Sequence, residues 1–395
     1  MNVAVIGQGY VGLPLAVTAA RAGFQVIGID KEISKVNSIN SGKSPVEDIT
    51  NQELIAVLTA TNYRAMQVLD IKKFYDVVCI CVPTPLGKNQ KPDLTTLKSA
   101  TTDVGKGVKP GMLVIIESTI QPGTTRNVLV PILEKESGLS RDQFLVVYSP
   151  ERIDPMNKKF TIKNTPKLVA GLTPTAAIKA KEFYSKFIDQ VDLCDSLEVA
   201  ETAKLLENSF RLVNISFINE LAIFCQKIGI DVGDVIKAAS TKPYGFMPFY
   251  PSVGVGGHCI PVDPLYLAEA AREVGAPSRF IELADEINQA MPPYFVERAK
   301  QIIDGVKSKK ILVIGLSYKP NVADVRESPV ISLIEQLRKA GAEVSWHDEL
   351  VKSWNGQEST PISAGFDLAI IATPHDYLEL SALKDVPILN TRSSI

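Results

Sequence analysis

Residues 253–264, VGVGGHCIPVDP, gather the side chains best suited to covalent chemistry in this chain of 395 residues. A single cysteine, Cys259, follows Gly256, Gly257 and His258 and stands four residues before a carboxylate, Asp263. The two glycines leave little bulk beside the sulfur and permit backbone angles closed to other residues, so a substrate can approach the thiol. Pro261 and Pro264 stiffen the segment that carries Asp263. A nucleophilic cysteine on a rigid loop has this make-up. The same residues also suit a small buried hydrophobe in a Gly/Pro turn, and the stretch by itself leaves both readings open.

A second group of residues suits a cofactor. Residues 2–6 alternate into a short apolar strand, Gly7-Gln8-Gly9-Tyr10-Val11-Gly12 follows, and 13–22 has the spacing of a helix. Strand, glycine turn and helix are the context in which GxGxxG binds a dinucleotide. Gly7 makes the tight turn, Gly9 admits the pyrophosphate, Gly12 lets the helix pack close, and the helix N-terminus faces the phosphates. Tyr10 and Val11 belong to the same loop and are expected at the cofactor with the glycines. A second strand, 25–29, ends in Asp30, eighteen residues past Gly12. A carboxylate there accepts hydrogen bonds from ribose hydroxyls and repels a 2′-phosphate, so NAD is expected rather than NADP. Lys35, further along, either meets a cofactor phosphate or lies on a solvated helix face.

The elements that must position these groups continue an α/β pattern. Residues 76–82, DVVCICV, form a buried strand entering Pro83-Thr84-Pro85, and 112–117, MLVIIE, form another that ends at Ser118-Thr119. Ligands of open α/β sheets bind at the carboxyl ends of strands, which makes Thr84 and Thr119 candidate cofactor contacts. A further strand, 144–148, precedes Ser149-Pro150-Glu151-Arg152 and turns Glu151 toward the same cleft. After Asp195 the strand periodicity gives way to one long helix, 196–227. In it Glu201, Lys204 and Asn208 share a face, whereas Leu205, Leu206, Leu212 and Val213 mostly point elsewhere. A lysine and an asparagine one turn apart can donate to an oxygen that gains negative charge. They serve equally as a solvated polar face with a helical salt pair.

Helices at 232–239 and 265–274 bracket an irregular stretch, 240–260, rich in Gly, Pro and aromatic residues. Past Met291-Pro292-Pro293 a helix at 295–303 leads to a second α/β block, with strands at 310–314, 343–346, 366–372 and 387–389 and a helix at 328–340. This block has no GxGxxG, so it need not hold a second dinucleotide. Lys319, Arg326 and Arg392 lie in loops beside its strand ends, where they can grip a nucleotide diphosphate or remain surface charge.

Bulk properties limit the alternatives. There are 42 basic and 44 acidic residues, a net charge of −2, and no long run of one sign, which argues against nucleic-acid or membrane-surface binding. No apolar stretch reaches about eighteen residues and no basic leader precedes the first strand, so a soluble cytoplasmic protein is expected. The five cysteines are odd in number and lack CxxC spacing, a reduced-compartment pattern with neither a disulfide framework nor a metal site. The architecture expected is α/β, with two Rossmann-like doubly wound domains joined by a central helical domain with a long helix. The boundaries expected are 1–194 for the NAD-binding domain, 195–293 for the central domain, which carries the cysteine loop and forms a homodimer, and 294–395 for the C-terminal domain.

The ordered motifs GQGYVGLPLA, CVPTP, EST, SPER, AKLLENSFRLVNISFINE, GVGGHCIPVDP and GLSYKPNVADVRESP resemble the UDP-glucose/GDP-mannose dehydrogenase family over essentially the whole chain. Within it, STKPYGFMPFYPSVGVGGHCIPVDP is most similar to the UDP-N-acetylglucosamine 6-dehydrogenase branch. The resemblance implies oxidation of the terminal CH2OH of a UDP-sugar to a carboxylate, a four-electron change that uses two NAD and a covalent cysteine intermediate. By the same resemblance Cys259 is the nucleophile, and Lys204 and Asn208 stabilise the oxyanion. Asp263 orients water or moves a proton, and Glu151 and Thr119 flank the hydrolytic water. Cofactor contacts are then Gly7, Gly9, Tyr10, Val11, Gly12, Asp30, Lys35, Thr84, Thr119 and Arg326. Substrate contacts are Glu151, Arg152, Lys204, Asn208, Tyr244, Phe249, Tyr250, Gly256, Lys319 and Arg392.

Two departures bear on the sugar. Where the UDP-glucose enzymes carry CFPKD, this chain has Cys-Ile-Pro-Val-Asp, so Val262 replaces a lysine. Tyr244 stands where an arginine reaches across from the neighbouring subunit. Loss of two cations favours the acetamido sugars over glucose, with the N-acetylmannosamine and N-acetylgalactosamine nucleotides as epimeric alternatives. A two-electron hydroxyacid-type dehydrogenase, or a non-catalytic sensor of NAD or a sugar nucleotide, would have no use for the cysteine loop.

Overall fold

The computed structural model describes residues 1–87, 90–154, 157 and 159–393. The chain divides into two compact units, 1–206 and 207–395. In the first, eight strands form one sheet: β1 (Asn2–Ile6), β2 (Gln25–Ile29), β3 (Tyr63–Met66), β4 (Val77–Ile80), β5 (Leu113–Ile116), β6 (Leu145–Tyr148), β7 (Lys167–Gly171) and β8 (Val191–Leu193). Their order is β3-β2-β1-β4-β5-β6-β7-β8. The first six positions are parallel and have the doubly wound order of a dinucleotide-binding sheet, with the switch point between β1 and β4. The glycine loop therefore opens at the switch point.

The helices of this unit are α1 (Gly12–Arg21), α2 (Ile33–Asn40), α3 (Asn51–Thr59), α4 (Thr95–Gly105), α5 (Val130–Ser137), α6 (Pro174–Tyr184) and the start of α7 (Leu197–Ile228). Successive strand residues bury on opposite faces, as the pleat requires. Val3 and Val5 of β1 join one core with α1, α3 and α6, while Ala4 and Ile6 join the other with α4 and α5. Cys79 and Cys81 are buried against the sheet, as the apolar run around them requires. Strands β3, β7 and β8 carry no clear alternation in the sequence and went unread there. Of these, β7 matters most, because it runs antiparallel to β6 and brings its first residue to the ligand edge of the sheet.

The second unit continues α7 and adds α8 (Val232–Ala239), α9 (Asp263–Glu273) and α10 (Arg279–Ile302). A four-stranded parallel sheet follows, with β9 (Lys310–Ile314), β10 (Glu343–His347), β13 (Leu368–Ile371) and β14 (Ile388–Asn390) in the order β10-β9-β13-β14. Helix α11 (Pro329–Lys339) follows β9, and a small hairpin, β11 (Ser353–Trp354) with β12 (Gln357–Glu358), follows β10. The core on one face joins α10 and α11 to Ile311, Val313 and Trp346, and that on the other holds Leu312, Ile314, Ala369 and Leu383.

The helix expected to begin at 295 instead starts at Arg279 and runs through Pro292 and Pro293. Two prolines remove two helical donors, which is why they read as a break. Met291, Phe295, Val296 and Ala299 bury on one side of α10, and this packing carries the helix across them. Among the described residues no helix is long and apolar enough to cross a membrane.

Candidate functional site

In the first unit the glycine loop has the form a dinucleotide requires. Gly7 sits at φ +91°, and a Cβ there would lie 2.6 Å from the Cys81 carbonyl oxygen. A Cβ on Gly12 would stand 1.8 Å from the Gly7 oxygen, so only glycine lets α1 start this close to β1. At Gly9 a Cβ would meet nothing within 4 Å, which leaves the loop open on the side a phosphate would take. Asp30 is tied to this loop: its Oδ2 accepts from the Gln8 amide at 2.9 Å and from Lys35 Nζ at 2.9 Å. Burial works against the Asp30 charge, but Lys35 and the amides of Glu32 and Gln8 outweigh it and hold the carboxyl below its ordinary range. Lys35 thus braces the Asp30 carboxylate, a use for its ammonium that the sequence did not suggest. Gln8, fully buried, was also missed. It accepts from Tyr63 Oη at 2.7 Å and donates to the Val5 carbonyl at 2.8 Å, propping the loop from below.

The neighbouring strand ends are stitched together. Thr84 Oγ1 donates to the Thr119 carbonyl at 2.8 Å and Ser118 Oγ to that of Val82 at 2.7 Å, which couples the two loops named from sequence. Glu151 is held at the same edge, with Oε1 accepting the amides of Arg152 at 2.6 Å and Ile153 at 2.7 Å. Its Oε2 accepts from Lys167 Nζ at 3.0 Å. Lys167 and its second partner, Glu117 at 2.8 Å, were not read as functional residues. The antiparallel register of β7 was the signal, because continuing it past Tyr148 and Ala170 sets Lys167 across from Glu151. The guanidinium of Arg152 donates to the Pro166 carbonyl at 2.8 Å.

Glu201 and Lys204 of α7 are buried, so the solvated-face reading of this helix fails. Glu201 accepts from the amides of Gly123 at 2.6 Å and Thr125 at 3.0 Å, which fixes the first turns of α7 to the loop after β5. Among the described residues the Lys204 ammonium makes no hydrogen bond or ion pair, which leaves its donors for a ligand.

In the second unit Asn208 Nδ2 donates to Asp263 Oδ2 at 2.6 Å, and both side chains are buried. Asp263 opens α9, and its amide donates to the Cys259 carbonyl at 2.8 Å, joined by that of Val262 at 3.2 Å. Cys259 is exposed, unlike a core hydrophobe, and stands just before a helix N-terminus. The loop is pinned by buried asparagines that the sequence reading passed over. Asn219 Oδ1 of α7 accepts the Ser252 amide at 2.9 Å, and Asn288 Oδ1 of α10 accepts the Val255 amide at 2.7 Å. Gly257, at φ +80°, lies against the Tyr318 ring, which a Cβ there would approach to 2.8 Å.

Other residues named from sequence occupy more peripheral places. Arg326 pairs through its guanidinium with Asp324, at 2.8 Å from Nε to Oδ1. Tyr244 and Tyr250 are exposed, and the Lys242 ammonium lies 5.1 Å from the Tyr244 ring centroid. Phe249 packs edge-on against Phe210, 5.7 Å between centroids. Arg392 is exposed and Lys319 half-buried in their loops.

At the switch point of the second sheet, the Gly315 amide donates to the His347 carbonyl at 2.7 Å. Asp348 Oδ2 accepts from the Leu316 amide at 2.9 Å, the Ser317 amide at 3.0 Å and Ser317 Oγ at 2.7 Å, with His375 Nε2 at 3.3 Å. Its Oδ1 accepts the amides of Leu350 at 3.0 Å and Val351 at 3.1 Å.

A doubly wound sheet with a glycine loop at its switch point and a carboxylate after β2 is the pattern of a dinucleotide-binding domain. The chain belongs to the UDP-glucose/GDP-mannose dehydrogenase family: residues 1–188 match its NAD binding domain, 198–290 its central domain and 312–393 its UDP binding domain. It is an oxidoreductase, an NAD-dependent dehydrogenase of UDP-sugars. Protein CapL of Staphylococcus aureus is 38% identical over 393 residues, 96% of this chain and 91% of that protein. The UDP-N-acetyl-D-glucosamine 6-dehydrogenase of Pseudomonas aeruginosa is 35% identical over 391 residues, 95% of this chain and 90% of that one. The solved structure of a UDP-D-ManNAc dehydrogenase from Pyrococcus horikoshii superposes with a TM-score of 0.91 at 32% identity, covering 100% of this chain and 96% of that one.

Proposed function

We propose that the protein oxidises the terminal CH2OH of UDP-N-acetylglucosamine to the uronic acid in two hydride transfers, through a thioester on Cys259. The observation that carries this reading is Cys259 itself, an exposed thiol ahead of α9 whose carbonyl is clamped by the amides of Val262 and Asp263. NAD supplies a hydride acceptor for each of the two oxidations. Cys259 adds to the aldehyde carbon formed in the first, making a C–S bond and a thiohemiacetal, so the reactive aldehyde is not lost. Loss of the second hydride leaves a thioester. Water then forms the C–O bond as the C–S bond breaks, with one proton going to sulfur and the other to solvent. Lys204 and Asn208, one turn apart on α7, donate to the oxygen that becomes negative. Asp263, held by Asn208, orients water or moves a proton, and Glu151 and Thr119 act on the water. The loop residues Gly7, Gly9, Tyr10, Val11 and Gly12, with Asp30, Lys35, Thr84 and Arg326, serve the cofactor. Arg152, Tyr244, Phe249, Tyr250, Gly256, Lys319 and Arg392 serve the nucleotide sugar.

The acetamido branch is favoured by Val262 and Tyr244, and similarity to a UDP-D-ManNAc dehydrogenase keeps the N-acetylmannosamine epimer as the second reading. The test is NADH yield at completion with limiting UDP-N-acetylglucosamine, UDP-N-acetylmannosamine, UDP-N-acetylgalactosamine or UDP-glucose. Two NADH per molecule of the first compound is the expected outcome. Two NADH only with another of them reassigns the sugar, one NADH removes the cysteine pathway, and binding without turnover marks a sensor. Cys259→Ser is expected to abolish acid formation while NAD and sugar-nucleotide affinities stay within about threefold; full turnover by that variant takes Cys259 out of the mechanism.

A further inference from the structure

Under the ligand edge of the first sheet lies a cluster of charge that the reaction as outlined does not use. Lys167 opens β7, and its side chain is only 4% exposed. Its Nζ stands 2.8 Å from Glu117 Oε2 and 3.0 Å from Glu151 Oε2, with the Glu117 side chain wholly buried. Tyr184 of α6 donates its hydroxyl to Glu117 Oε1, and the ammonium sits 5.4 Å from the Tyr184 ring centroid. A lysine is expensive to bury, and this one exists only because two carboxylates pair with it. The converse holds for Glu151, whose other oxygen is taken by two backbone amides. Its carboxylate is thus fixed in direction.

We propose that Lys167 is a positioning residue for Glu151: braced by Glu117 and Tyr184, its ammonium keeps the Glu151 carboxylate ionised and in one orientation, so that Glu151 serves as a standing acceptor for the hydrolytic water. This rests on the reading of Glu151 as a group that acts on that water. The groups facing Glu151 are Lys167 on β7, Glu117 after β5, the Cys81 thiol just after β4 and its own neighbour Arg152, whose guanidinium donates to the Pro166 carbonyl, while Tyr184 on α6 and the Cys79 thiol of β4 act on Glu117. Lys167 holds the carboxylate directly, at 3.0 Å. Burial raises the Glu117 carboxyl above its ordinary value. Burial also opposes the Glu151 charge, but Lys167 and the two amides prevail and hold that carboxyl low.

The test compares Lys167→Arg, Glu117→Gln and the double variant Lys167→Met/Glu117→Gln, which avoids stranding a second buried charge. Carboxyl 13C titration, with Glu151 assigned by difference from Glu151→Gln, is expected to be flat from pH 5 to 8 in the native protein and in Lys167→Arg. In the double variant the Glu151 titration moves up by about 1–3 pH units. The acid limb of kcat with NAD and UDP-N-acetylglucosamine moves with it, while KM stays within about twofold. A folded double variant with a flat Glu151 signal and the native acid limb overturns the proposal. Full two-NADH turnover by Glu151→Gln instead overturns the role of Glu151 in hydrolysis, and the 13C titration still decides whether Lys167 sets its charge.

Discussion

Asn208, Asn219 and Asn288 are buried amides that fix the cysteine loop and the start of α9 from two helices, each through one short hydrogen bond. Asn288→Ala leaves the buried Val255 amide without its acceptor, which costs about 1–3 kcal/mol. Thermal unfolding should show this as a fall of several degrees, with a lower kcat because the loop loosens. An unchanged melting temperature would mean that water replaces the side chain at no cost. The sequence disclosed Asn208 through its spacing from Lys204, but Asn219 and Asn288 bond to residues more than thirty positions away in the chain. No local pattern marks such partners. The same holds for Lys167, which looks like an ordinary strand-edge lysine until β7 is known to run backwards. The glycine turn was legible because its close packing depends on residues near one another in sequence.

Helix α7 carries Lys204 and Asn208, and its first turns are set by Glu201. Burial pushes the Glu201 carboxyl up to about 7, against the pull of the Thr125 and Gly123 amides. A folded value above the ordinary one means that the native state binds this proton more tightly. The stability it contributes is therefore complete below the ordinary carboxylate range and is lost as pH rises through about 7. Comparing urea unfolding at pH 5.5 and 7.5, the native protein should lose about 1–2 kcal/mol more than Glu201→Gln. Equal losses in the two proteins would show that Glu201 is ionised throughout. At this scale most of the long elements were readable: α8 matched its expected span and α7 shifted by one residue. Helix α10 was cut short at its prolines, where propensity argued for an end that burial of the flanking residues overrides.

For the whole molecule, the face of α7 that bears Phe210, Phe217 and Phe224 repeats every seven residues and is exposed, together with Ile228. Such an exposed apolar stripe calls for a cover. We propose a second copy as that cover, in line with the homodimer expected from the sequence. Phe217→Glu with Phe224→Glu should convert the dimer to monomer in sedimentation-velocity runs, and a monomeric native protein would refute the assignment. The two sheets share the doubly wound plan that the sequence led us to expect, down to the turn after the first strand of each. Gly315 repeats the Gly7 turn at φ +87°, and Asp348 follows β10 as Asp30 follows β2. In the first sheet the carboxylate keeps capacity for a visiting ribose. In the second, the hydroxyl of Ser317 and the imidazole of His375 occupy the acceptor where ribose hydroxyls would dock. The second fold thus carries a built-in tenant at the position that the first leaves open to a visitor.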